Sequence, residues 1–302
     1  METNDRGGVL GVLLAQGRGR PRWGSGSDYL VCDVERACVA AYDGMGGWQM
    51  DEAQRLYHAE RCRVPEALVS CRRNGLALED AYRVQWCGVA LRVREGARVL
   101  GHKVGLTSQA MQHQVGIDTP DSGILLDYMV VAPGEALRAA ELLSPRIEAE
   151  IAFRLGRDLC GADVVEDAAR GAVAEVFLAL EVIDSRFHLE GITLADSVAD
   201  NAGCARFVLG DAVPMPSWDL RAERLIVCSG VTPVAVGEGR DVFGDPIRSI
   251  VWLARRLADF GAGLKAGDVV LAGAVHESIP VPAGKTVSVS SPRLPPVNLH
   301  VA

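Results

Sequence analysis

Residues 145–153, PRIEAEIAF, set Glu148 and Glu150 two positions apart in a run that is otherwise largely apolar. In a strand, residues i and i+2 leave the same face, so both carboxylates project together while Ile147, Ala149 and Ile151 fill the other side. A carboxylate removed from water without a partner is very costly, so the pair needs something positive opposite it. For an isolated Glu-x-Glu the commoner answer is an exposed strand face, or partners such as Arg146, Arg154 and Arg186. A third acid changes the weighing: Glu181 lies at the end of VFLALEV, a run too apolar to carry a casual charge. Three carboxylates on two neighbouring strands match the preference of Mg2+ or Mn2+ for oxygen ligands in octahedral geometry, which leaves positions for water or substrate.

Two further segments carry chemistry. In GHKVGLTS, Lys103 lies in a short apolar strand followed by Gly105 and a helix cap at Thr107 or Ser108. A buried lysine has a lowered pKa, which suits proton transfer, although a lone lysine in such a strand more often reaches out to solvent. In DTPDSG, Asp118 and Asp121 flank Pro120, a pattern that ordinary turns also produce.

The elements that must hold these groups follow from periodicity. From about Val99 the chain breaks into short β-branched or apolar runs between Gly, Pro and Asp: VLGHKVGL, IEAEIAFRL, EVFLALEVI, ARFVLG, RLIVCSGVTPVAVGEG and DVVLAG. Before them, helical spacing begins near Met50, with Asp51 as cap, and a second helix opens at Leu78-Glu79-Asp80. Pro246 starts a later helix that stops near Gly261. Residues 1–50 differ in texture, rich in Gly, Arg and Ser, and read as an extension, with Met50 as an alternative start. The expected architecture is α+β: a helical portion over 51–98 and a β-rich body over 99–302, together one catalytic domain.

Composition narrows the function classes. The 302 residues are 49% hydrophobic, enough for a substantial core. With 31 Lys+Arg against 39 Asp+Glu the formal net charge is -8 and no basic stripe is interleaved with aromatics, so nucleic acid is not an expected partner. No apolar run approaches the roughly 20 residues of a membrane span, and the N-terminus lacks the succession of a signal peptide. The eight cysteines include no CxxC pair and no matching His spacing, which fits a reducing cytoplasm. GSGSDY and GEGRDVFG lack the spacing and context of a dinucleotide loop.

Taken in order, GHKVGLTSQAMQHQVGIDTPDSG, PRIEAEIAF, LALEVIDSRF, DSVADNAGCARFVLG and GLKAGDVVLAG resemble the 2-hydroxypentadienoate hydratase and 4-oxalocrotonate decarboxylase family of the fumarylacetoacetate hydrolase superfamily. The resemblance spans roughly residues 51–302. It implies a mixed-sheet β fold with a central site, Glu148, Glu150 and Glu181 as ligands of Mg2+ or Mn2+, and Lys103 and Asp121 as proton-transfer residues. It further implies substrate contacts at Leu106, Asn201 and Gly203, a small 2-oxo or 2-hydroxy dienoate as substrate, and a homo-oligomer such as a pentamer or decamer. SQAMQHQVGIDTPDSGILLDYM looks like the hydratase version, whereas decarboxylases tend to lack the PDSG turn; decarboxylation of a 2-oxo acid is the alternative activity. One departure stands out: many members read ADNAS where this chain has Ala199-Asp200-Asn201-Ala202-Gly203, so a hydroxyl is missing at Gly203. His276-Glu277 in VHESIPVPAG is expected at the pocket rim. His58 with Glu60, or His102, would be the acid/base groups of a C–C bond hydrolase, and a non-catalytic binding protein is the reading from a different class.

Overall fold

Four helices precede the first strand in the computed structural model, which describes residues 33–44, 47–132 and 134–302. They are α1 (Val34–Gly44), α2 (Trp48–Cys62), α3 (Val69–Arg72) and α4 (Leu78–Arg94). In α4, Glu79 and Asp80 occupy the first turn and Arg92 and Arg94 the last, matching the helix dipole at both ends. Helix α2 begins before the expected Met50, behind Gly47, and Asp51 sits within its first turn, where its charge meets the exposed N–H groups without acting as the cap. The expected boundary at residue 51 therefore falls inside α2. Helix α1, from the segment expected to be an extension, packs on α4 and buries Val34 and Cys38. Residues 1–32 of that segment lie outside the described residues.

The body then runs through β1 (Val99–Gly105), α5 (Gln109–Val115), β2 (Asp121–Leu126), β3 (Ala136–Leu137), β4 (Arg146–Leu155), α6 (Glu166–Ala172), β5 (Val173–Ile183) and α7 (Leu194–Ala199). It continues through β6 (Cys204–Leu209), β7 (Val213–Pro214), β8 (Arg224–Ser229), β9 (Thr232–Glu238), α8 (Ile247–Ala258), β10 (Val269–Ala274), β11 (Ile279–Pro280), β12 (Thr286–Ser290) and β13 (Val297–Val301). The larger sheet has the order β2-β1-β10-β4-β5-β6, with β11 pairing to β4 and β7 to β5. Only β1 and β10 run parallel in it. A smaller sheet, β3-β13-β12-β8-β9, packs on β4, β5 and β6, and α8 packs on β10.

The central strands are buried on both faces: one face is apolar and the other carries the three glutamates. Ile147, Ile151 and Phe153 of β4 and Leu178 and Leu180 of β5 are fully buried, each contributing about 1.5–3 kcal/mol of transfer free energy. Helix α8 starts behind Pro246, buries Ile247, Ile250, Leu253 and Leu257 at helical spacing, and gives way to Gly261 at φ +72°. This is the mixed α+β architecture expected. Strands β2, β12 and β13 were not among the expected runs. Among the described cysteines, Cys38, Cys62, Cys71, Cys87, Cys204 and Cys228 form no disulfide. Cys160 is disulfide-bonded, a departure from the all-reduced set that the spacing implied. Among the described residues no helix is long and apolar enough to cross a membrane.

Candidate active site

The antiparallel register of β4 on β5 sets Glu148 directly opposite Glu181, with Glu150 one step along the same face. One oxygen from each of the three carboxylates lies within 4.8 Å of the others, and all three side chains are buried. Glu150 Oε2 accepts a hydrogen bond from the Gly273 N–H at 2.6 Å. Glu148 Oε1, Glu150 Oε1 and both oxygens of Glu181 have no hydrogen-bond partner. Burial pushes Glu148 up to about 8, with Lys103 opposing the shift and Glu181 adding to it. Burial and the charges of Glu181 and Glu148 hold Glu150 well above the ordinary carboxylate range, and burial raises Glu181 against the pull of Lys103. Converging, dry, unpartnered carboxylate oxygens are the donor set that a hard divalent cation takes, so the residues fit the metal that the spacing implied. The arginines weighed as partners are engaged elsewhere: Arg154 with Glu175, Arg186 with Asp200, and Arg146 with Ser278.

Lys103 approaches from β1, its Nζ 3.7 Å from Glu181 Oε2. Its pKa is not lowered as expected. Burial does pull it down, but the charges of Glu181, Cys204, Asp121 and Glu148 outweigh burial and leave the ammonium above its ordinary value. Neutralising the acids with a dication removes much of that field.

Asp121, expected in a turn, instead opens β2 opposite Gly105. Its Oδ2 accepts from Ser197 Oγ of α7 at 2.6 Å, and its buried Oδ1 has no partner. A Cβ on Gly105 would stand 2.2 Å from Asp121 Oδ1 and 3.3 Å from Lys103 Nζ. The bare glycine is what lets both polar ends gather at one place. Asp118 stays exposed and accepts a hydrogen bond from Thr119 Oγ1.

The other expected groups divide. Leu106, at φ +58°, is buried with Met111 and Ala274, and Ile117 and Leu194 pack against them. Because Ala274 is in register with Glu150, this apolar wall adjoins the acids. Asn201, expected as a substrate contact, clamps β2: its Oδ1 accepts from Ile124 N at 2.8 Å and its Nδ2 donates to Ile124 O at 2.9 Å. Gly203, at φ +71°, leaves ordinary van der Waals space beside Ile183. His276, expected at the pocket rim, is 5% exposed and lies in the bend between β10 and β11. His58 is exposed, and Glu60 pairs with Arg92. His102 is buried with its Nε2 unpartnered, and desolvation pushes its pKa down to about 4. No acid/base pair of the hydrolase kind forms from them.

The sequence left several supporting groups unmarked. Ser197 orients Asp121, Gly273 presents its N–H to Glu150, and the Thr107 Oγ1, buried and without a partner, lies against Gly273. Only Thr107 carried a signal, as a suspected cap. That task belongs to Ser108, whose Oγ accepts from Met111 N.

The model described as fumarylacetoacetate (FAA) hydrolase C-terminal matches residues 98–302. The chain belongs to this family. Within it, a 2-hydroxyhexa-2,4-dienoate hydratase of Comamonas testosteroni is 38% identical over 236 residues, covering 77% of this chain and 89% of that protein. A 2-keto-4-pentenoate hydratase of Paraburkholderia xenovorans is 36% identical over 235 residues, covering 78% and 87%. Among solved structures, 4-oxalocrotonate decarboxylase from Pseudomonas putida G7, complexed with magnesium and adipate, superposes with a TM-score of 0.79 at 31% identity, covering 84% of this chain and 97% of that one. The fumarylacetoacetate hydrolase match starts just before β1 and takes in Lys103, Asp121 and all three glutamates, while α1 to α4 precede it.

Proposed function

We propose that this protein adds water to a 2-hydroxy-2,4-dienoate, in its 2-oxo-enoate form, to give a 4-hydroxy-2-oxo acid, with Mg2+ or Mn2+ held by Glu148, Glu150 and Glu181. The observation that carries the proposal is the set of buried, unpartnered carboxylate oxygens facing Lys103 and Asp121. A dication bound there would supply fixed positive charge for the 2-oxo oxygen as electron density moves onto it. Ketonisation takes the proton from the C2 hydroxyl and delivers one to C5; water then adds at C4 and C3 is protonated. Lys103 and Asp121 hold and move these protons. Asp121 is suited to the task because Ser197 fixes Oδ2 and leaves Oδ1 as acceptor. The wall of Leu106, Met111 and Ala274 suits a hydrocarbon tail better than a second carboxylate. A cytoplasmic homo-oligomer belongs to the same proposal, and sedimentation velocity measures the oligomer.

Decarboxylation of a vinylogous 2-oxo acid is the second reading, supported by the structural likeness to 4-oxalocrotonate decarboxylase. The test incubates purified protein and Mg2+ or Mn2+ with freshly generated 2-hydroxypenta-2,4-dienoate, following its ultraviolet absorbance and identifying the product. The expected result is metal-dependent formation of 4-hydroxy-2-oxopentanoate. No conversion with either metal, together with CO2 release from 4-oxalocrotonate, would transfer the assignment to the decarboxylase.

A further inference from the structure

Strand β10 slips against β4 between two pairings, Leu271 with Ala152 and Ala274 with Glu150. One more residue is used on β10 than on β4, so the strand bulges where it passes the acids. Gly273 lies in the bulge at φ +114°, and a Cβ there would collide with Thr107. Past the bulge, Val275 N–H donates to Ala149 O at 3.2 Å. Ala149 is the residue between the two glutamates of β4, and a regular ladder would return its N–H to a backbone carbonyl of β10. The carbonyl in that place, Val275 O just past the end of β10, faces Gly237. Instead the Ala149 N–H donates to His276 Nε2 at 3.1 Å.

The other ring nitrogen fixes the tautomer. His276 Nδ1 lies 2.6 Å from Glu277 O, and a carbonyl only accepts. A ring that accepts at Nε2 must therefore carry its proton on Nδ1.

We infer that His276 is a positioning residue whose neutral, Nδ1-protonated ring replaces a missing strand carbonyl and holds Ala149, and with it the spacing of Glu148 and Glu150, for a divalent cation. The inference rests on the metal-site proposal above. Removing the acceptor leaves a buried N–H unsatisfied between two ligand residues, so the strand shifts where the ligands leave it. Gly273 works on the same stretch from the side-chain end, through Glu150 Oε2.

The experiment compares the wild type with His276→Leu, which keeps apolar bulk but cannot accept, and His276→Gln, whose carbonyl oxygen lies as many bonds from Cβ as Nε2 does. Mn2+ affinity is read by electron paramagnetic resonance titration, and the ring tautomer of the wild type by 15N NMR. H276L is expected to bind Mn2+ roughly 10- to 100-fold more weakly, the scale for partners just outside a ligand shell. H276Q is expected to recover most of that loss, and the wild-type ring to carry its proton on Nδ1. H276L binding as tightly as wild type, or a wild-type ring protonated on Nε2, overturns the inference. Should H276L fail to fold, H276Q and the tautomer decide. Wild-type protein that binds no Mn2+ refutes the metal proposal itself, whereas normal wild-type binding with H276L unchanged refutes only the positioning role.

Discussion

Lys103 is under two opposed influences, and the balance between them sets what it does. Burial favours the neutral amine, while four surrounding groups, Glu181 foremost, favour the ammonium and prevail. In the metal-free protein the side chain is thus a counter-charge, 3.7 Å from Glu181 Oε2; a dication on the acids would weaken that field and free the side chain for the proposed proton transfer. Lys103→Ala is expected to lower kcat by roughly 10²–10⁴, the range for a lost acid or base, while Mn2+ titration still shows binding. Unchanged turnover would remove Lys103 from the mechanism. The position of Lys103 in an apolar strand was legible in GHKVGLTS, but the direction of its pKa was not, because that depends above all on Glu181, 78 residues further along the chain.

At the scale of elements, the segment from β5 to β6 turns back through a buried ion pair. Arg186 Nε donates to Asp200 Oδ1 at 2.5 Å, Arg186 N to Asp200 Oδ2 at 2.8 Å, and the guanidinium also reaches Asp184 O and Cys204 O. Both residues are buried, at 4% and 2% exposed. The clamp fixes the end of α7, which carries Ser197 to Asp121, and the start of the turn in which Asn201 grips β2. Asp200→Ala strands a buried guanidinium and is expected to cost about 3–5 kcal/mol of stability, read from urea midpoints at unchanged slope. A midpoint equal to wild type would show that the pair holds nothing. The sequence offered Arg186 as a partner for Glu148 and Glu150; only the path of the chain after β5 assigns it to Asp200.

For the whole molecule, the three acids couple folding to pH and to metal. A carboxyl whose folded pKa is raised keeps a proton that the unfolded chain releases. The contribution of these acids to metal-free stability is therefore fully present below the unfolded carboxyl range near about 4.3 and is lost as pH climbs toward about 8, the value to which Glu148 is pushed. A dication favours the deprotonated acids and reverses that loss, so the rise in Tm on adding Mn2+ to chelator-treated protein is expected to be larger at pH 8 than at pH 5.5. At pH 7 binding should also release protons, measured by titration calorimetry in buffers of different ionisation enthalpy. Proton-neutral binding, or equal Tm shifts at both pH values, would contradict the cluster's electrostatics.

Local pattern alone determined a good deal of this protein. Alternation placed Glu148 and Glu150 on one strand face, largely apolar runs marked β4, β5 and β10 as covered strands, and helical spacing found α4 and α8. Strand β2 stayed hidden because it opens on the turn residues of DTPDSG, and β12 and β13 because TVSVS and VNLHV are short and half polar. Only the tertiary structure decided that Glu181 faces Glu148, since a slip of one residue between β4 and β5 would have turned it to the opposite face. The bulge of β10, the use of a histidine ring in place of a backbone carbonyl, and the meeting of Lys103 with Asp121 over Gly105 were likewise decided there. Each depends on which strands become neighbours, and pairing between distant segments leaves no periodic trace in either one.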